Sequence, residues 1–222
     1  MKNVRHIIWD FNGTLLDDVD LCVTTMNTLL IEYELPKLDV NRYKDIFQFP
    51  VKEYYRTLGF NFEADPFEKL AVEYLSIYNQ EVTKCQLYQG VIEALTLNRT
   101  LGIKQYILSA FEHDELINVL HKLDIIDFFD DVAGLDNQHA ASKTAQGHRL
   151  MQRHQLSTDG TVMIGDTHHD LEVANELNID CLLIDHGHQS RRRLDALHPW
   201  VTTHFRDIPE QLSALKALNT VS

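Results

Sequence analysis

The spacing of apolar residues divides the chain into a short strand, a helical stretch and a long alternating region. The run "VRHIIWD" (4–10) is rich in β-branched and aromatic residues and ends at an aspartate before a glycine turn, as a buried parallel strand does. From 19 to 83 the spacing becomes helical, which predicts a helical insert of about 70 residues. One apolar stripe contains Leu21, Thr25, Leu29 and Tyr33, and the other Phe67, Leu70, Ala71, Tyr74, Ile77 and Tyr78. Prolines 36, 50 and 66 are expected at helix boundaries.

After Gly90 the pattern alternates between strands and helices. Strands are predicted at 103–109, 128–134, 161–166 and 181–185, and helices at 91–100, 114–123, 142–154, 170–177 and about 210–218. Such alternation predicts an α/β fold with a doubly wound, Rossmann-like parallel sheet, and the insert predicts a small α-helical cap after the first strand. For a chain of 222 residues, we expect a core domain of 1–17 and 86–222 and a cap domain of 18–85.

Polar residues stand at the carboxyl ends of three predicted strands: Asp10, Ser109 and Asp166. The carboxylate of Asp10 could attack phosphorus, ligate a metal or do both, or it could simply cap backbone amides in a turn. Asp170 follows Asp166 by four residues, at the start of a predicted helix, where it could instead cap that helix. Three carboxylates near one point repel each other without a cation, and an all-oxygen site suits Mg²⁺ better than zinc or copper.

Composition limits the classes of molecule that the chain is expected to bind. A formal net charge of −13 argues against nucleic-acid and anionic-membrane partners, whereas a bound cation would still allow a small anionic substrate. No apolar run approaches the ~20 residues of a membrane helix, and the N-terminus lacks a secretory signal pattern, so a cytoplasmic location is expected. Cys22, Cys85 and Cys181 have no metal-ligand spacing and are expected to be reduced thiols. Nothing in the pattern separates a monomer from a homodimer.

Four motifs together give the chain a family resemblance. "DFNGT", the serine of "YILSA", Lys143 and "GDTHHD" occur in the order and strand context of the haloacid dehalogenase superfamily, and the chain resembles its phosphoglycolate phosphatase-like branch with a helical cap. The resemblance implies that Asp10 is the nucleophile and that Mg²⁺ is bound by Asp10, Asp166 and the backbone carbonyl of Asn12, with Asp170 supporting its water shell. It also implies that Ser109, Ala110 and Lys143 bind the phosphoryl group.

Lys143 is followed by Thr144, where the family usually has proline. A solvated lysine at the start of a helix is therefore the alternative to a phosphate-binding one.

Asn12 departs from the family pattern. The phosphatases of the family usually have an aspartate there, acting as general acid and base, and the carboxamide of asparagine does not titrate. Losing that assistance costs about 10²–10⁴-fold in rate. Three explanations remain open: a phosphatase for substrates with a good leaving group, a variant that transfers or only binds phosphate, or a deliberate Asp-to-Asn substitution.

Other features are interpreted as structural. His113, His168 and His169 could replace the missing acid, but exposed loop positions are the favoured interpretation. The stretch "HGHQSRRRL" (186–194) is interpreted as a solvated face. The aromatic residues of the insert are expected in the cap core, with one or two facing the crevice: Tyr43, Phe47, Phe49, Tyr54 and Tyr55.

The combined prediction is Mg²⁺-dependent hydrolysis of a small phosphorylated metabolite, with phosphoglycolate as the default class. The alternatives are a phosphate-binding or regulatory protein and, less favoured, a dehalogenase, which has no use for a metal site.

Overall fold

The computed structural model describes residues 4–135 and 142–219. The strands are β1 (His6–Trp9), β2 (Leu16–Asp17), β3 (Gln86–Leu87), β4 (Lys104–Glu112), β5 (Asp131–Leu135), β6 (Thr161–Gly165), β7 (Asp180–Ile184) and β8 (Val201–Thr202). The helices are α1 (Val19–Glu32), α2 (Val40–Ile46), α3 (Val51–Leu58), α4 (Phe67–Glu81), α5 (Val91–Thr100), α6 (His113–Lys122), α7 (Lys143–Arg153), α8 (His168–Glu176), α9 (Arg191–Asp195) and α10 (Ile208–Asn219). Among the described helices, none is long and apolar enough to cross a bilayer.

The main sheet is parallel, with the strand order β5-β4-β1-β6-β7-β8. The predicted α/β class is therefore confirmed. The central strand β1 pairs with β4 on one side and β6 on the other, so that Trp9 lies beside Ile107 and Ile164. Strand order reverses around β1, and in such sheets the ligand crevice lies at the carboxyl ends of the strands near the reversal.

Both faces of the sheet are buried, because side chains alternate between them along each strand. Ile7 and Trp9 belong to a core that includes residues of the insert and of α5, α6 and α10, whereas Ile8 belongs to the core under α7, α8 and α9. Ile7, Ile8 and Trp9 have no exposed surface. Burying an aliphatic side chain of this size contributes about 1.5–3 kcal/mol, which explains why the strands read as nearly continuous apolar runs.

The insert forms the helices α1 to α4. Strands β2 and β3 pair antiparallel, Leu16 with Leu87 and Asp17 with Gln86, and so hold the two ends of the insert together. Pro50 and Pro66 directly precede α3 and α4, which confirms the expected helix boundaries at these two prolines. The insert therefore begins and ends close to the expected limits 18 and 85, and its independence as a domain stays a prediction.

The element bounds differ from the expectations at several points. Strand β4 continues past Ser109 to Glu112 with a register shift after Leu108, and the first part of the strand predicted at 128–134 belongs to a 3₁₀ turn (Ile126–Phe128). The two-residue strand β8 was not predicted, because pairing with β7 rather than local pattern produces it.

Candidate active site

Three buried carboxylates meet at the carboxyl edge of the sheet. Asp10 follows β1 directly, Asp166 follows β6 directly, and Asp170 is in the first turn of α8. One ligand oxygen from each residue lies within 4.8 Å of the others. Asp170 also caps α8, since its Oδ2 accepts hydrogen bonds from the backbone and hydroxyl of Thr167 at 2.9 and 2.7 Å. The cap contacts of Asp170 use Oδ2, whereas its contact with Lys143 uses Oδ1.

Lys143 lies inside this cluster. It is the first residue of α7 and only 4% exposed, and its Nζ donates hydrogen bonds to Asp10 Oδ1 and, at 2.6 Å, to Asp170 Oδ1. Burial opposes the charge of Lys143, but the two carboxylates outweigh burial and raise its pKa. The alternative of a solvated lysine is therefore wrong, and Lys143 is the cation of this site.

The carboxylates carry more negative charge than Lys143 neutralises. Burial and the neighbouring carboxylate of Asp170 raise the pKa of Asp166. Burial raises the pKa of Asp10 as well, with Lys143 opposing the shift, whereas Lys143 outweighs burial at Asp170 and lowers its pKa. Three carboxylates and one ammonium group leave a formal charge of −2, and their oxygen atoms are the donors that Mg²⁺ prefers. The residues present therefore fit a divalent cation.

Two glycines allow the chain to approach Asp166 closely. A Cβ atom on Gly13, whose φ is +73°, would lie 2.6 Å from Asp166 Oδ2, and one on Gly187 would lie 2.2 Å from the same oxygen. The carboxylate accepts hydrogen bonds from His188 N at 2.6 Å and from Thr14 Oγ1 at 2.9 Å. Asp166 is thus fixed by the loop after β1 and by the loop after β7.

Asn12 is held by a fourth buried carboxylate, that of Asp18. Its side-chain amide donates hydrogen bonds to Asp18 Oδ2 at 3.1 Å and to Tyr78 Oη at 2.7 Å. Tyr78 donates to Asp18 Oδ2 at 2.5 Å, and Gly13 N donates to Asp18 Oδ1 at 2.8 Å. The carbonyl oxygen of Asn12 consequently faces Ser109, whose Oγ lies 3.4 Å away. Asn12 can accept a hydrogen bond on that side but has no proton to transfer.

The sequence analysis did not identify Asp18 or His188 as site residues. His188 is 6% exposed, its Nε2 lies 3.4 Å from Asp18 Oδ1, and its Nδ1 lies 3.0 Å from Tyr43 Oη. Gln189 is also buried and accepts a hydrogen bond from the backbone of His168 at 2.8 Å. The interpretation of 186–194 as a solvated face is therefore wrong at these two positions, because the loop after β7 turns back over the edge of the sheet. Gly187 and Leu194 of the same stretch are buried as well.

The other candidate residues lie in different surroundings. Ala110 is exposed at the cavity described below, beside Ser109. His113 and His168 lie in the first turns of α6 and α8 rather than in loops. His169 lines the cavity and stacks on Phe49 with ring centroids 4.6 Å apart, so the favoured interpretation of an exposed loop position is wrong for it.

A cavity of about 350 Å³ lies between the cap helices and the edge of the sheet. From the core it is lined by Asp10, Asn12, Ser109, Ala110, Phe111, Lys143, Asp166, Thr167, His169, Asp170 and His188. The insert contributes mainly aromatic and aliphatic side chains, among them all five of the aromatic residues considered above. Those residues thus both pack within the cap and face the crevice. The predicted catalytic and metal-binding residues are brought together here, while their individual roles stay predictions.

Known proteins with similar sequences or folds include proteins named as phosphatases, hydrolases and a kinase. The chain is 25% identical to tyrosine-protein kinase PtkA of Mycobacterium tuberculosis, covering 96% of this chain and 73% of PtkA. It is 24% identical to the probable phosphatase IndB of Dickeya dadantii, covering 96% of both chains. A haloacid dehalogenase-like hydrolase from Streptococcus pneumoniae superposes with a TM-score of 0.81 at 22% identity, over 96% of this chain and 100% of that one, which shows a common fold.

The sequence profile described as haloacid dehalogenase-like hydrolase matches residues 7–184. This range contains both strand ends that carry the clustered carboxylates, as well as Ser109 and Lys143. On that match, the chain belongs to the haloacid dehalogenase-like hydrolase family.

Proposed function

We propose that this protein is a Mg²⁺-dependent phosphatase that hydrolyses a phosphate monoester through an aspartyl-phosphate at Asp10. The observation that carries the proposal is the cluster of Asp10, Asp166, Asp170 and Lys143, which lines a cavity large enough for a substrate. Phosphoryl transfer requires a positioned nucleophile and positive charge around the phosphoryl oxygens. The cluster supplies the nucleophile, one cation and the ligands for a second.

In the first step, Asp10 attacks phosphorus, the bond between phosphorus and the ester oxygen breaks, and the organic group leaves as its alkoxide or phenolate, which takes a proton from solvent. In the second step, water attacks the phosphorus of the aspartyl-phosphate, releasing inorganic phosphate and a proton and restoring Asp10. Lys143 and Ser109 orient the phosphoryl oxygens in both steps. Bound Mg²⁺ would neutralise charge on the phosphoryl group and on the carboxylates.

Asn12 restricts the leaving group in this mechanism. Its amide hydrogens are directed at Asp18 and Tyr78, and its carbonyl faces Ser109. A leaving group that needs a proton from this position would react about 10²–10⁴-fold more slowly than in an enzyme with a general acid there. A leaving group that is stable as an anion loses much less.

The names of relatives support the reaction class. The probable phosphatase IndB spans almost the same length as this chain, and a phosphoglycolate phosphatase from Synechococcus elongatus is 22% identical over 96% of it. At 22–24% identity, the substrate in a relative's name cannot be assigned to this protein. Phosphoglycolate therefore enters the following experiment as one member of a panel.

The alternative function is a phosphate-binding or regulatory protein, and the fixed orientation of Asn12 is the observation that favours it. Such a protein would keep the cation site and bind phosphate, but it would not release product from an ester.

The test is Mg²⁺-dependent phosphate release from a panel of phosphate monoesters by the parent protein, Asp10→Asn and Asp20→Asn. Asp20 is an exposed acidic residue in the first turn of α1 and serves as the matched control. The proposal expects release by the parent and Asp20→Asn, none by Asp10→Asn, and phosphate-labelled Asp10 in rapidly quenched parent enzyme. Equal release by Asp10→Asn would disprove the mechanism. A parent that binds phosphate with Mg²⁺ but releases none from any ester would establish the alternative.

A further inference from the structure

Apart from the buried carboxylate of Asp18, the part of the cavity formed by the insert is uncharged and mainly aromatic. We call this surface the aromatic wall. It comprises Tyr43, Phe47, Phe49, Tyr54, Tyr55, Phe67, Tyr74 and Tyr78. Among the described residues that line the cavity, the only lysine or arginine is Lys143, and it is already bound to Asp10 and Asp170. The organic part of a substrate bound at Asp10 therefore meets ring surfaces and no free lysine or arginine.

Two hydroxyl groups of the wall, those of Tyr43 and Tyr78, are used within the protein. Tyr43 is hydrogen-bonded to His188 and Tyr78 to Asp18, and burial raises the pKa of both tyrosines, which keeps them neutral. Tyr54 is 2% exposed, and its hydroxyl has no hydrogen-bond partner among the described residues. The wall thus presents mainly rings to a ligand.

Neighbouring rings of the wall meet edge to face in several pairs. Tyr43 and Tyr54 meet at 83° with centroids 5.9 Å apart, and Phe47 and Phe49 meet at 76° and 5.5 Å. Phe49 also stacks on His169, so the wall is in direct contact with α8 of the core. Aromatic rings favour these tilted and offset contacts, so an added ring finds both faces and edges to pack against.

The volume agrees with a substrate of this kind. An apolar cavity of roughly 150 Å³ holds one benzene ring. The cavity of about 350 Å³ therefore has room for a phosphoryl group beside the carboxylates and one ring or fused ring pair against the wall.

A carboxylate on the organic group fits poorly. It would leave water for a surface of rings with no free lysine or arginine to pair with, and the buried carboxylate of Asp18 lines the same cavity. Phosphoglycolate, whose organic part is a carboxylate of two carbon atoms, is therefore disfavoured relative to a neutral aromatic ester.

We propose that the substrate is a phosphate monoester whose organic part is uncharged and carries an aromatic ring bound by the aromatic wall. This inference rests on the proposed function, because it assumes that the phosphoryl group binds at Asp10. The ring could belong to a phenol or to an arylalkyl alcohol. Asn12 bears on that choice, since a phenolate leaves without a general acid whereas an alkoxide does not leave readily.

The experiment measures kcat/KM for phenyl, benzyl and ethyl phosphate and for phosphoglycolate. Benzyl and ethyl phosphate both release an alkoxide, so their ratio reports the ring alone, whereas phenyl and benzyl phosphate share a ring and report the leaving group. We expect KM for benzyl phosphate to be at least about tenfold below that for ethyl phosphate, which corresponds to 1.4 kcal/mol of binding. Phosphoglycolate should be the poorest substrate.

Variants of the wall connect this preference to the structure. Phe47→Leu keeps an apolar side chain but removes a ring, and it should raise KM for benzyl phosphate while leaving that for ethyl phosphate unchanged. Phe62→Leu is the matched control, because it makes the same change in the same insert at a ring that does not line the cavity. It should not change the benzyl-to-ethyl ratio.

The outcomes separate this inference from the proposed function. Turnover of ethyl phosphate or phosphoglycolate as efficient as that of benzyl phosphate would overturn the aromatic class and leave the phosphatase intact. If no ester is hydrolysed, the proposed function fails, and calorimetric binding of benzyl and ethyl phosphate to Asp10→Asn decides the inference separately. Equal affinities there would overturn it.

Discussion

Replacing Asn12 by aspartate would place a half-buried carboxylate next to the buried carboxylate of Asp18. The side-chain amide of Asn12 lies 3.1 Å from Asp18 Oδ2, so Asn12→Asp puts an acceptor where a donor now stands. Two unit charges at this separation repel by about 5 kcal/mol at an effective dielectric constant of 20, which is equivalent to about four pKa units. We expect the new carboxyl and Asp18 to share one proton near neutral pH.

The shared proton makes the cost dependent on pH. In the unfolded chain both carboxyls have a pKa of about 3.9, so above this pH the folded variant binds one more proton than the unfolded one. A folded pKa raised in this way means that the deficit in stability relative to the parent is small near pH 4. The deficit then grows by about 1.4 kcal/mol per pH unit until the shared proton is lost near pH 8. About three pH units above the unfolded pKa, at pH 7, we therefore expect Asn12→Asp to lose about 4 kcal/mol.

Urea unfolding at pH 6 and pH 8 tests this reasoning. The deficit of Asn12→Asp should be about 2–3 kcal/mol larger at pH 8 than at pH 6. The double variant Asn12→Asp/Asp18→Asn exchanges amide and carboxylate, and it should recover most of the loss. Asn12→Ala removes the same hydrogen bonds without adding a charge and is the control for packing. A deficit that is equal at both pH values, or that Asp18→Asn does not relieve, would refute the like-charge argument.

Three further changes probe the cation site. Lys143→Met should lower the free energy of unfolding by about 3–5 kcal/mol, more at pH 8 than at pH 6, because it leaves buried carboxylates without their cation; a urea midpoint close to that of the parent would contradict this. Mg²⁺ at 100 times its dissociation constant should stabilise the parent by about 2.7 kcal/mol in thermal melts, and Asp166→Asn should remove that effect; a shift that survives would place the cation elsewhere. Gly187→Ala should also abolish the Mg²⁺ effect, because its Cβ would lie 2.2 Å from Asp166 Oδ2; calorimetric Mg²⁺ binding at parental affinity would contradict the packing argument.

The parallel sheet could be predicted from the sequence because its strands are buried on both faces. Strand β6 contains no exposed residue, and its run of apolar residues is visible without any tertiary information. The pairs β2 with β3 and β7 with β8 involve two-residue strands, which no local pattern specifies. They form because distant parts of the chain are brought together after the sheet and the helices are in place.

Four of the predicted site residues, Asp10, Lys143, Asp166 and Asp170, share one property, a position at a strand end or a helix start on the same edge of the sheet. Asp10, Asp166 and Asp170 could be grouped for that reason, since the carboxyl ends of parallel strands converge. Asp18 was missed because it precedes a cap helix, and only the packing of α1 against α4 brings it to Tyr78. His188 follows β7 at the same edge of the sheet. Its position after a predicted strand could therefore have identified it as a site residue, but the stretch was interpreted as a solvated face.

The contacts of Asp18 also bear on the origin of Asn12. Asp18 accepts hydrogen bonds from Asn12, Gly13 and Tyr78, and an aspartate at position 12 would turn the first of these contacts into repulsion. The carboxylate of Asp18 is therefore suited to accept from an amide at position 12 and not to face a second carboxylate. The cluster already holds Asp10, Asp166 and Asp170 against one lysine, and a phosphate ester adds further negative charge. We therefore infer that Asn12 and Asp18 form a matched pair, in which the amide limits the charge of the site and the carboxylate fixes the direction of the amide.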